Sequence, residues 1–423
     1  MVRTACFGIA LIFNINYHFM DLPLKGIRVM ELANVLAGPS VGMFLAELGA
    51  SVVKIENVRS CGDVTRHWKL PSEDPDTDIS GYFSCVNWGK ESIALDITSG
   101  GGLDIVHLLA GKSDIVLASY KPGDAEKLGV DYGSLKKANE RIIYAHVTGY
   151  GMHNPRAGYD AIIQAESGFT FMNGEPDGKP TKMPVALMDV LAAHQVKEAL
   201  LLALLARERG GGGQYIEASL IRSGIASLAN QATNWLVAKA IPGRMGSDHP
   251  NIVPYGTIFT TADRKEIVLA VGTDRQFAEL CRVLGSPGLA EDEKFVTNYN
   301  RVVNSDELKK KLQELIGVHD RKTVLGMLGS RSIPAGGVLD MKEVFEMPEA
   351  KAMLLESDAG RGPMKGVSSV AFACDSLPTR SDLSPPPHYG EHSRSILKNI
   401  LGYTSVQINR LIETQTVYAR NEQ

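Results

Sequence analysis

Asp189 is a single carboxylate in an otherwise apolar run, Val185-Ala-Leu-Met-Asp-Val-Leu-Ala-Ala193. A carboxylate kept from water in this way is a candidate nucleophile, able to attack an acyl carbon and carry a covalent intermediate. Its plainer role is a helix N-cap, accepting hydrogen bonds from the first turn of the helix that follows. Tyr159-Asp160, just after the turn Gly149-Tyr-Gly151, adds a second carboxylate with a phenol beside it. Arg244 and His249 lie in a polar loop, Pro242 to Pro254. There the planar fork of an arginine suits a substrate carboxylate, the alternative being a solvated surface pair.

Other devices are missing. The sequence holds no GxGxxG after a strand and no GxxxxGK[ST], HExxH or GxSxG, which removes the nicotinamide, nucleotide-triphosphate, zinc-protease and α/β-hydrolase chemistries. The run Gly210 to Gly213 follows a helix instead of opening one, so it predicts a C-terminal stop and not a phosphate cradle. Five cysteines, Cys6, Cys61, Cys85, Cys281 and Cys374, form neither a CxxC pair nor a Cys/His cluster. Neither a zinc site nor a disulfide framework is expected, and the compartment should be reducing.

These groups must be positioned by a regular α/β chain. With 423 residues, 44% apolar and 22% charged, and a net charge of −4, the chain is long enough for two or three domains and lacks the basic surface of a nucleic-acid binder. No apolar run reaches the length of a membrane span. Strands are predicted at Gly26–Leu32, Ala50–Glu56, Ser92–Asp96, Asp114–Ser119 and Arg141–Thr148, with helices between them such as Val41–Leu48 and Leu191–Arg209. That alternation predicts a mostly parallel, doubly wound sheet whose ligands sit beyond the carboxyl ends of the strands. A helix over Arg222–Lys239, a strand pair within Thr257–Gly272 and charged helices over Asp274–Gly329 mark a smaller domain at 223–336. The large domain then spans 23–222 and resumes over 337–423, ending in a helical stretch, Ser393–Thr414. Residues 1–22, acid-free until Asp21, form an extension that reads either as an organelle leader or as a bland tail.

Taken in order, the segments resemble the family III CoA-transferases from Leu24 to Gly402. The carriers are Leu24-Lys-Gly-Ile-Arg-Val-Met-Glu-Leu with Leu36-Ala-Gly-Pro39, Leu48-Gly-Ala-Ser-Val-Val-Lys-Ile-Glu56, Gly62-Asp63 with Arg66, Ser92-Ile-Ala-Leu-Asp96, Lys121-Pro-Gly123, Thr148-Gly-Tyr-Gly151, Ala157-Gly-Tyr-Asp160 with Ser167-Gly168, and Asp189. Gly243 to Tyr255, Gln276-Phe277 and Pro385 through His392 resemble the dicarboxylate branch of that family. The resemblance implies a Rossmann-type large domain built from both ends of the chain, a smaller α+β domain and an interlocked homodimer. The compartment implied is mitochondrial, with the cytoplasm as alternative. The activity implied is transfer of CoA from succinyl-CoA to a dicarboxylate such as glutarate through an aspartyl-CoA thioester on Asp189.

By the same resemblance CoA is a substrate and no cofactor or metal is bound permanently; the partners are an acyl-CoA and a small carboxylic acid, with no nucleic acid and no membrane. The positions matching the family's CoA contacts are Val35, Ala37, Leu95, Ser119, Tyr120 and Lys127, with Tyr159, Arg244 and His249 toward the acid. One departure stands out. The basic residue that usually follows the glutamate is Asn57 here, leaving Arg59 as its substitute. Another acceptor, such as oxalate, carnitine or an aromatic acid, is the main alternative. A racemase is disfavoured because Tyr159 replaces the histidine that branch needs, and a phenol with an ordinary pKa near 10 is a poor base at neutral pH. A catalytically silent CoA binder would have no need of Asp189.

Overall fold

The computed structural model describes residues 21–358, 363–374, 378 and 382–420. The extension at 1–22 lies outside the described residues apart from Asp21 and Leu22. Strands β1 (Arg28–Leu32), β2 (Ser51–Asn57), β3 (Lys90–Leu95), β4 (Ile115–Ala118), β5 (Ile143–Thr148) and β6 (Gln214–Ser219) share one sheet with a late strand, β12 (Val417–Tyr418), which follows a separate antiparallel pair, β10 (Leu354–Ser357) and β11 (Met364–Val367). The order is β12-β3-β2-β1-β4-β5-β6. Pairings β1–β2, β1–β4, β2–β3 and β4–β5 are parallel, and only β12 on β3 is known to run antiparallel. All five predicted strands are present within two residues of their expected ends. Such strands form here because β-branched and apolar runs are buried on both faces, as a parallel sheet under helices requires.

Contacts divide the described chain into two units, one of residues 148–195 and 218–353, the other holding the remainder. The core of the sheet-bearing unit gathers Met30, Leu32, Ile55, Ile93, Leu95, Val116, Ile105 and Tyr144, and residues from late in the chain, Ile396, Leu397, Ile408 and Val417, complete it. The other unit has its own core. Its three-stranded antiparallel sheet, β7 (Tyr255–Thr260), β8 (Glu266–Ala270) and β9 (Ala335–Gly337), buries Phe259, Ile267 and Leu269 against Phe277, Leu280, Leu308, Leu312, Val324 and Leu328 of the surrounding helices. Among the described residues no helix is long and apolar enough to cross a membrane.

Four predicted helices differ from those observed. The first spans Ala37–Glu47, starting four residues ahead of Val41, because Pro39 falls in the first turn where a missing N–H costs nothing. The long helix starts at Leu187 and runs to Glu208, where Gly210 (φ +92°) takes the left-handed turn and the Gly211 N–H reaches back to Ala206. Arg222–Lys239 is two helices, Leu220–Ala226 and Asn230–Leu236, parted at Ala229 with φ +48°. The stretch Ser393–Thr414 breaks at Gly402 (φ +75°), and its second half, Ser405–Glu413, begins at a reciprocal cap between Thr404 and Gln407.

Candidate active site

β1 has β2 on one side and β4 on the other, so the chain winds outward in both directions from it. The crevice beyond the carboxyl ends of β1 and β4 is the switch point where doubly wound sheets take ligands. Four of the expected CoA contacts stand there: Val35 and Ala37 after β1, Ser119 and Tyr120 after β4. The two strand ends are tied together by the Asn34 N–H donating to Ser119 Oγ at 3.1 Å. The helix that opens at Ala37 has no side-chain cap.

Val35 holds φ +71°, a left-handed conformation that a β-branched side chain adopts only under constraint. Its N–H donates to the Asp63 carboxylate, 3.2 and 3.4 Å from the two oxygens. Tyr120 is half-buried, and burial pushes its phenol up to about 12. Its carbonyl accepts from His146 Nε2 at 2.9 Å, while His146 Nδ1 meets the Tyr215 hydroxyl at 3.1 Å. Because a carbonyl can only accept, His146 carries its proton on Nε2, and burial disfavours a second one. Leu95 is fully buried in the core, so it offers a ligand only its backbone. Arg59 and Lys127 are exposed and paired, with Asp96 at 3.0 Å and with Asp124 at 3.1 Å.

Behind this crevice runs a buried ionic chain. Glu31 on β1 accepts from Lys54 Nζ at 3.0 Å and from Lys90 Nζ at 2.8 Å, all three side chains being fully buried. Lys54 also pairs with Asp63 at 3.0 Å and donates to the Ala33 carbonyl at 2.8 Å, while Lys90 donates to the Pro39 carbonyl at 2.8 Å. Arg66 forks onto Glu56 at 2.6 and 2.8 Å, and Glu56 accepts in turn from the Asp63 N–H and the Ser92 hydroxyl. Three acids face three bases, so the charges of this cluster balance one another. Burial works against the Lys54 charge, but Glu31 and Asp63 overcome it and hold its proton tightly. Burial wins at Lys90, lowering its ammonium to about 8.

In the other unit Asp189 is not an N-cap. It lies in the first turn of Leu187–Glu208, and the cap role falls to Asp160, whose Oδ1 accepts from the Met188 N–H at 2.8 Å. Asp160 is held in turn by Gln164 Nε2 at 2.7 Å, and Gln164, fully buried, also accepts from the Met183 N–H. The two glycine motifs meet here. A Cβ on Gly149 would lie 2.5 Å from the Gly158 Cα, so only glycines allow the crossing that delivers Asp160. Burial first, and the neighbouring Asp160 charge second, push the half-buried Asp189 carboxyl up to about 7. Such a carboxylate is poorly solvated and basic, which suits attack on an acyl carbon.

Tyr159 precedes Asp160 at the start of its helix and is 66% exposed. Arg244 donates through Nη1 to the Phe171 carbonyl at 3.3 Å and lies over the Phe171 ring, while its buried Nε has no partner. His249 accepts the Asn251 N–H through Nδ1 and packs edge-on against Tyr255. The two loop residues therefore have separate protein partners. The buried ions, His146 and Gln164 were not foreseen as part of the site. Their one signal is charge inside apolar strands, Glu31, Lys54 and Lys90 above all. Among the described residues no group of His, Cys, Asp and Glu could hold a metal ion.

The sequence profile described as CoA-transferase family III matches residues 24–393. A succinate–glutarate CoA-transferase of Agrobacterium fabrum is 36% identical over 89% of this chain and 96% of its own, and the human succinyl-CoA:glutarate CoA-transferase is 33% identical over 93% and 90%. A crystal structure of a CAIB/BAIF family protein from Brucella suis superposes with a TM-score of 0.80 at 36% identity, covering 90% of this chain and 100% of that one.

Proposed function

The chain belongs to CoA-transferase family III, and on that premise we propose that it moves CoA from succinyl-CoA to glutarate or a similar dicarboxylate, with Asp189 as nucleophile. The observation that carries this reading is the desolvated Asp189 carboxylate in the first turn of its helix, raised to about 7 beside Asp160. Its oxygen attacks the thioester carbonyl, the C–S bond breaks, and a succinyl–aspartyl anhydride and CoA thiolate result. The thiolate attacks the aspartyl carbonyl, releasing succinate and leaving aspartyl-CoA. Glutarate then attacks this thioester; the freed thiolate takes the glutaryl carbonyl of the second anhydride, and the Asp189 carboxylate returns. Each anhydride must be kept from water, which the apolar neighbours Met188 and Ala192 favour.

The CoA moiety is assigned to the switch-point crevice, with Val35, Ala37, Ser119 and Tyr120 along it, the Leu95 backbone at its side, and Arg59 and Lys127 as cations for phosphate. Arg244 is assigned to the distal carboxylate of the acid, with His249 and Tyr159 as further contacts. The protein is read as a homodimer. Exposed Leu201, Leu202 and Leu205 on one helix, and exposed Trp235, Leu236, Val237 and Ile241 elsewhere, support association with a second copy.

The test is an exchange assay with purified protein, succinyl-CoA and glutarate, 3-hydroxy-3-methylglutarate, oxalate or carnitine, read by mass spectrometry. Glutaryl-CoA is expected as the dominant product. Exchange onto oxalate or carnitine alone would discard glutarate and its analogues as acceptor, and Asp189→Ala with unchanged turnover would discard the nucleophile.

A further inference from the structure

The loop that joins β1 to the helix at Ala37 is not held by its own residues. That loop and the first turn of the helix are clamped at four points by side chains from elsewhere: the Ala33 carbonyl by Lys54, the Asn34 N–H by Ser119, the Val35 N–H by Asp63, and the Pro39 carbonyl by Lys90. Three of the clamps bind groups that any residue would tolerate. The fourth acts on Val35, whose φ of +71° is unfavourable for a β-branched residue and reverts unless the surroundings over-determine it. Asp63 is suited to that task. It is fully buried, fixed by the Thr65 N–H and hydroxyl at 3.1 and 2.9 Å, and its own N–H is anchored on Glu56 at 2.9 Å.

We propose that Asp63 is a positioning residue for the acyl-CoA substrate: it holds Val35 in its left-handed conformation and so keeps the β1 loop in the shape that receives the CoA moiety. This rests on the assignment of CoA to that crevice. Asp63 touches no reacting atom, so its loss should weaken binding of the CoA ester without altering chemistry at Asp189.

The coupling between Asp63 and Val35 distinguishes positioning from simple stabilisation, because glycine adopts φ +71° freely. With folded full-length protein, Asp63→Ala is expected to raise the dissociation constant of CoA and the KM for succinyl-CoA about tenfold, leaving the KM for glutarate and kcat within about twofold. Measured against Val35→Gly alone, which gives the cost of removing that side chain from the crevice, Asp63→Ala in the Val35→Gly background should add less than about threefold further loss. Should Asp63→Ala fail to fold, Asp63→Ser retains a cap for Thr65 while removing the carboxylate that faces Val35, and the same cycle is run on it. Independent effects of the two substitutions, or an unchanged KM for succinyl-CoA, would overturn the proposal. Amide hydrogen exchange of the wild type with and without CoA separates the two levels. Protection of residues 33–40 by CoA with no effect of Asp63→Ala defeats only the role of Asp63, whereas no protection there defeats the crevice assignment itself.

Discussion

At the scale of the residue, the role proposed for Asp189 ties rate and stability to one ionisation. Its carboxyl is raised to about 7, so the ionised form accumulates as pH rises, and with Asp189 as the proposed nucleophile kcat/KM should climb between pH 6 and 8 with an inflection near 7. Asp160→Asn keeps an oxygen for the Met188 N–H but removes the neighbouring charge, and a pH–rate profile should show the inflection moving to lower pH. The same shift carries a stability cost of definite sign. An unfolded aspartate has lost its proton well below pH 7 while the folded one keeps it, so stability falls as pH rises from about 4 to 7. Asp189→Asn should therefore melt higher than wild type at pH 8 and close to it at pH 4, and a wild-type-like melt at pH 8 would contradict the burial of the charge. On the assignment proposed for Arg244, Arg244→Ala is expected to raise the KM for glutarate about tenfold with the KM for succinyl-CoA unchanged, in a two-substrate kinetic analysis.

At the scale of the element, much was legible and the reasons for the rest are specific. The strands of the main sheet announced themselves as β-branched apolar runs, while Val35, Ala37, Ser119 and Tyr120 were named by the family resemblance and fall after the carboxyl ends of β1 and β4. The charges inside those strands did not reveal where they point. A period of two cannot distinguish Lys54 facing water from Lys54 against Glu31, because the partner lies on another strand. The capping of the Asp189 helix by Asp160 was hidden for the same reason: caps read from sequence are local, and this one comes from another helix. Breaks at Ala229 and Gly402 depend on single left-handed residues within otherwise helical patterns. Two predictions belong here. Gly149→Ala forces its Cβ into the Gly158 backbone, and a loss of about 1–3 kcal/mol is expected in urea unfolding, with activity falling as Asp160 is displaced. Lys90→Met leaves Glu31 with Lys54 alone in a buried site, at a cost of about 3–5 kcal/mol in the same measurement.

At the scale of the whole molecule, the exposed leucines of the long helix are the feature a lone chain explains least. Leu201, Leu202 and Leu205 are each more than 40% exposed although the same helix buries Ala192, Val196, Leu200 and Ala203. Light scattering behind a sizing column should return a mass of two copies of the 45.7 kDa chain, and a monomer at micromolar concentration would remove the homodimer from the proposed function.

The strand β12 at the edge of the main sheet has a consequence for how the protein is made. Val417 and Tyr418 pair with Leu95 and Ala94, and Ile396, Leu397 and Ile408 cover core residues contributed by β1 to β4. A nascent chain that has emerged from the ribosome only as far as the smaller sheet thus exposes the β3 edge and an apolar face for many seconds at ordinary elongation rates of about 5–20 residues per second. Chaperone engagement should peak in that interval, and a messenger interrupted at Gly390 should yield aggregated protein in place of a truncated enzyme.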